Sequence, residues 1–113
     1  MKIDSYSFGR IVIEGHQYTQ DLLIFPDHVD TEWWRKEGHA LHPDDLAKVL
    51  AAKPKVLVVG TGNSGMMQVL PQTRGHLEKQ GIQLIVQRTD EAWRTYNQLC
   101  RSGEVMAAFH LTC

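Results

Sequence analysis

The chain has 113 residues, a length that fits one domain and buries about two-thirds of the surface its unfolded form would expose. Its 42% hydrophobic and 22% charged composition is that of a globular protein, and a formal net charge of -1 gives no field to gather nucleic acid or anionic lipid. No apolar run approaches the roughly 18 residues of a membrane span, and the opening MKIDSYSFGR has no signal-peptide core, so a cytoplasmic protein is expected. Cys100 and Cys113 make neither a C-x-x-C pair nor a disulfide framework, and reduced thiols fit that compartment.

In chain order, SYSFGRIVIEG alternates Tyr6, Phe8, Ile11 and Ile13 before a Glu14-Gly15 turn, and the further run DLLIFP follows. Together they read as an antiparallel meander. The stretch DTEWWRKEGHAL, residues 30 to 41, has neither helical nor alternating period and reads as a long loop or an irregular edge. Pro43, with Asp44 and Asp45 behind it, then opens a helix whose apolar face is Leu46, Val49 and Leu50, and Lys53-Pro54 ends it. KVLVVG is a continuous apolar run of the kind buried on both faces of a sheet.

Residues 71 to 81, PQTRGHLEKQG, give a short helix with Leu77 as its one large apolar residue. IQLIVQ is a second buried strand. Thr89 then stands as the cap of a helix with inner face Ala92, Trp93, Tyr96, Leu99 and Cys100, and Gly103 stops it. EVMAAFHLTC is the last strand. A meander followed by α-β-α-β-α-β implies a single three-layer α/β domain over residues 1-113, with a mixed, largely parallel central sheet and flanking helices.

The strand at Val56 runs into Gly60-Thr-Gly62-Asn-Ser-Gly65, a literal G-x-G-x-x-G. Dinucleotide binding needs the third glycine inside a long helix and an acidic residue closing the next strand. Here Pro71 leaves room for only a short turn after Gly65, and the next strand leads to Arg88. No nucleotide cofactor is expected. Two readings of the loop stay open: Gly60 and Gly62 turn the chain so that backbone N–H groups cradle an anion, or they merely supply the dihedral angles of a tight strand exit. If the Val56 and Ile82 strands are parallel, Gly60, Thr61, Gly62, Arg88 and Thr89 share one rim, with Gly65 beyond the turn; Arg35 and His39 are the further charged candidates.

His39, His42, His110 and Cys113 lack the paired-cysteine spacing of a structural zinc site, and no metal is expected. Cys100 faces the core, and Ser64 lacks the framing of a nucleophile elbow, so no catalytic set is spelled out. Trp33 and Trp34 are adjacent and must point to opposite sides if the chain is extended there. They cover a sheet edge, serve as a contact for a protein partner or a second copy, or wall a pocket with Arg35, Glu37 and His39.

Trp34-Arg35 with Gly38-His39, Asp45-Leu46, the strand ending Gly60-Thr-Gly62, Gly81-Ile82, Tyr96-Asn97 and the closing Phe109-His110-Leu-Thr-Cys113 cover nearly the whole chain. In that order they resemble a small family of unknown molecular function that includes an animal adipogenesis-associated protein, a mitochondrial complex I assembly factor, and free-standing archaeal and bacterial domains. The resemblance implies a three-layer α/β domain with a mixed sheet, in which the Gly-x-Gly pair is typical and Gly65 is not. Two function classes follow: a non-catalytic binding or protein-assembly module, and an enzyme or receptor for a small anionic molecule bound at the Gly60-Gly62 loop.

Overall fold

The structure, a computed structural model, describes residues Met1–Cys113 with the side chain of Ser102 outside the described set. Three short strands, β1 (Ile3–Ser7), β2 (Arg10–Ile13) and β3 (His16–Tyr18), form an antiparallel meander. The DLLIFP run does not continue it. Leu22–Ile24, as β4, instead joins the central sheet, where all three of its residues are buried. A strand apolar at every position must be covered on both faces, and only the central sheet offers that.

The remaining elements are β5 (Val29–Asp30), β6 (Ala40–Leu41), a 3-10 turn (Pro43–Leu46), α1 (Ala47–Ala52), β7 (Val56–Thr61), β8 (Gln68–Val69), α2 (Pro71–Lys79), β9 (Gln83–Gln87), α3 (Thr89–Leu99) and β10 (Val105–His110). The five-stranded sheet runs β5-β4-β10-β7-β9. β10, β7 and β9 are parallel; β4 and β5 are antiparallel to their neighbours. β6 and β8 form a separate parallel pair that joins the 30–41 loop to the segment after β7.

Strand alternation sorts the side chains into two cores. Val58, Ala107 and Phe109 face Ile3, Ile11 and Ile13 of the meander and Ala92 and Tyr96 of α3. Leu57, Val59, Met106 and Ala108 face Leu41 of β6, Leu46 of the 3-10 turn, Val49 of α1 and Leu77 of α2. The result is three layers, as the element order implies.

Three local expectations are corrected. β9 is an edge strand with Gln83 exposed and the rest half-buried, rather than covered throughout, because β10 inserts between β4 and β7 and leaves β9 outermost. Arg88 holds the cap position of α3 in extended backbone, while the Thr89 hydroxyl is engaged elsewhere. Gly65 lies within the turn after β7: its φ is +72° and its N–H donates to the Gly62 carbonyl at 3.2 Å.

Candidate functional site

β7 and β10 end side by side, with Gly60 opposite Phe109 and Thr61 opposite His110. A Cβ at Gly60 would lie 2.7 Å from Thr89 Oγ1 and 2.8 Å from Phe109 Cδ1, so the glycine lets the start of α3 close onto the sheet. The Thr89 hydroxyl then links three segments: it donates to the His110 carbonyl at 2.6 Å and accepts the Gly62 N–H at 2.8 Å. Gly62, at φ +103°, has no room for a side chain either. Its Cβ would stand 2.3 Å from the Cys113 carbonyl carbon.

The turn's backbone donors hold the chain's last residues and the turn itself. Asn63 N–H bonds the Thr112 carbonyl, Met66 N–H reaches Cys113 O at 2.9 Å, and Met67 N–H reaches Thr61 O at 3.1 Å. The groove outside is therefore furnished by side chains. It encloses about 510 Å³, and Thr61, Ser64, Arg74, Gln87 and Arg88 are among its lining residues. Arg88 is shared with Asp90 at 3.3 Å and Glu91 at 3.8 Å, whereas Arg74 has no carboxylate partner among the described residues.

Arg35 and His39 lie apart from that groove lining, beside an ionic cluster under the end of β10. Asp21, just before β4, accepts Arg35 Nη1 and His110 Nδ1, each at 2.7 Å, and the Leu111 N–H at 2.8 Å. Burial alone would raise the Asp21 carboxyl, but the three hydrogen bonds outweigh it and hold the group down at about 2. Arg35 and His110 side chains are only 7% exposed. Arg35 also donates to the Gly38 carbonyl at 3.0 Å and stacks on the Trp33 ring, 4.8 Å from its centroid. The exposed His39 ring sits edge-on to His110, with centroids 5.8 Å apart.

His110 directs Nδ1 at Asp21, and among the described residues its Nε2 is buried without a hydrogen-bond partner, as is Arg35 Nε. A carboxylate-oriented imidazole is half of a hydrolytic triad. Among the described residues no hydroxyl or thiol is hydrogen-bonded to that nitrogen; the bonds present join the 30–41 loop and residues 110 and 111 to Asp21 before β4. Asp21 escaped the sequence reading, and His110 entered it among the histidines and cysteine set aside as metal ligands and in the closing Phe109-His110-Leu-Thr-Cys113 stretch of the resemblance. The signal for His110 was a polar residue closing a strand that is otherwise Val-Met-Ala-Ala-Phe.

The tryptophans divide as adjacency requires. Trp33 is half-buried against the α1 face of the sheet and donates Nε1–H to the Asp45 carbonyl at 2.8 Å. Trp34 is 74% exposed, beside a shallow cavity of about 180 Å³ lined by Leu23, Asp30, Glu32, Asp44 and Lys48. The loop carrying it is framed by the ion pairs Asp30–Lys48 and Asp44–Lys36. Among the described residues no group of three or more His, Cys, Asp or Glu side chains is placed to hold a metal, and no helix is long and apolar enough to cross a membrane.

An α/β sheet of this order, closed at its carboxyl edge by a Gly-x-Gly turn, is the setting in which the comparisons with known proteins fall. Residues 3–110 match a family described as a protein of unknown function (DUF498/DUF598), and the chain belongs to that family. It is similar to NADH dehydrogenase [ubiquinone] 1 alpha subcomplex assembly factor 3 of Mus musculus, 31% identical over 109 residues, covering 94% of this chain and 57% of that protein. The Homo sapiens protein of the same name is 28% identical over 110 residues, covering 96% and 59%. The chain thus spans less than two-thirds of the length of these relatives. Among solved structures, a conserved hypothetical protein of Pyrococcus horikoshii OT3 superposes over all of both chains with a TM-score of 0.85 and 30% identity.

Proposed function

We propose that the chain is a non-catalytic binding module that assists the assembly of other proteins and contacts its partner through Trp34. The exposed indole carries this reading. An aromatic of that size left 74% exposed on a loop fastened by ion pairs is a preorganised anchor, and such anchors dominate interface energies. Relatives named as an assembly factor agree in kind, and the cytoplasm is the compartment that suits two free cysteines. Pull-down from a native extract tests it: Trp34→Ala should lose a partner that wild type retains, while Phe8→Ala and Met66→Ala, at the other exposed apolar side chains, should keep it. Unchanged partners for Trp34→Ala refute the assignment.

A second reading, a receptor or enzyme for a small anion, is favoured by one observation: Arg74, without a carboxylate partner among the described residues, stands in the groove with Arg88 and Ser64, at the carboxyl end of parallel strands. Gly60, Gly62 and Thr89 build the turn that adjoins this groove, whereas Arg35 and His39 lie outside its lining. A thermal-shift screen across phosphates, nucleotides and carboxylates is the check, since ligand at a hundred times its Kd stabilises by about 2.7 kcal/mol. No shift with any of them removes this reading.

A further inference from the structure

Among the described residues β9 is hydrogen-bonded to β7 and to no other strand. The Gln83 N–H donates to the Lys55 carbonyl at 2.8 Å, on the β7 side. Backbone groups in a ladder alternate in direction, so Gln83, Ile85 and Gln87 turn theirs inward, and Leu84 and Val86 direct N–H and C=O away from the sheet. Leu84 and Val86 pack against one core and Ile85 against the other, yet all three remain half-exposed. The register from Val56–Gln83 to Gly60–Gln87 is unbroken. This edge therefore has no bulge, and its sequence has no proline and no charge, the devices that normally keep an edge strand from pairing.

The sequence of that edge, Gln83-Leu84-Ile85-Val86-Gln87, has the same character read in either direction about Ile85. We propose that two copies of this chain pair through β9, antiparallel about a two-fold axis at Ile85, into one continuous sheet. In that register Leu84 of one copy faces Val86 of the other, and the pair exchanges N–H···O=C bonds in both directions. Ile85 faces Ile85 across the axis. Gln83 faces Gln87 at each end of the pair. No charge meets its like, and the outward groups of Leu84 and Val86 are satisfied. A second copy fits better than a foreign strand because the edge complements itself.

β9 and the Trp34 surface belong to opposite edges of the sheet, since the Trp34 cavity is lined by Leu23 of β4 and Asp30 of β5. Pairing through β9 leaves both indoles free and displays them at the two ends of the assembly. The inference stands independently of the proposed function.

Light scattering on a size-exclusion column, read over a concentration series, supplies the test, with amide hydrogen exchange beside it. Wild type should reach the dimer mass, and the amides of Leu84 and Val86 should become protected as concentration rises. Gln83→Lys with Gln87→Lys sets like charges opposite each other at both ends of the pair. Gln83→Lys with Gln87→Glu alters the same positions but sets opposite charges there. The first variant should self-associate about tenfold or more weakly than the second, with both folded by circular dichroism. Val86→Pro, which removes an outward N–H, should be monomeric. A wild-type monomer at every concentration, equal association of the two charge variants, or Leu84 and Val86 amides protected only by some other protein would each overturn the proposal.

Discussion

Replacing Asp21 by alanine removes the acceptor of three hydrogen bonds at once and leaves Arg35 and His110, each 7% exposed, without their carboxylate. The bonds from Arg35 and His110 are 2.7 Å long and Arg35 brings a full charge, whereas the Leu111 bond is an ordinary N–H donor at 2.8 Å. Breaking a buried ion pair by deleting one member costs about 3–5 kcal/mol, chiefly because the surviving charge stays buried. Arg35 keeps its bond to the Gly38 carbonyl, so about 3–4 kcal/mol is expected for Asp21→Ala. Against a total stability of about 5–15 kcal/mol, such a variant still folds but unfolds at markedly lower urea. Urea titration followed by both tryptophan fluorescence and circular dichroism, with an unchanged slope, measures it. Adding Arg35→Met should recover part of the loss, because the stranded charge is then gone. A loss below about 1 kcal/mol for Asp21→Ala would mean that water already solvates the cluster, and would refute the reasoning.

The same carboxylate sets an acid response. Its folded-state value, about 2, lies below the ordinary 3.8, so its contribution of about 2 kcal/mol is complete above the upper value and disappears as pH falls through the lower one; urea midpoints between pH 5 and pH 2 should fall in wild type and flatten in Asp21→Ala. Gly62→Ala should lose about 2 kcal/mol more than Gly65→Ala in thermal melts: the first Cβ meets backbone of Cys113 at 2.3 Å, the second the flexible Arg88 side chain at 3.2 Å. Thr89→Val strands the Gly62 N–H and the His110 carbonyl in a fully buried setting and should cost about 2–4 kcal/mol, while Thr89→Ser should retain most of the stability. Equal losses for valine and serine in urea titration would show that the hydroxyl contributes nothing.

The strands that read clearly from sequence were those whose burial is local in pattern, such as Val56–Gly60 and Val105–Phe109, apolar at each position because both faces of the sheet are covered. Strand order is not local. Leu84-Ile85-Val86 reads like a central strand, and only the insertion of β10 beside β7 places it at the edge. The Asp21–Arg35–His110 cluster draws on positions 89 residues apart, so no spacing rule brings it together. Thr89 has the residue type and place of a helix cap, yet the Gly62 N–H just past β7 and the His110 carbonyl at the end of β10 engage its hydroxyl at 2.8 and 2.6 Å. The Gly-x-Gly turn was legible as a tight strand exit, but the close packing of Thr89, Phe109 and Cys113 against the two glycines was not.

Trp34 is proposed here as the anchor for a protein partner. Its most direct test is the affinity of the partner recovered by wild type, measured by titration calorimetry against wild type and Trp34→Ala at equal melting temperature. Kd should weaken by about 30-fold or more in Trp34→Ala, equivalent to about 2 kcal/mol; the same Kd for both proteins would contradict an anchoring role for Trp34.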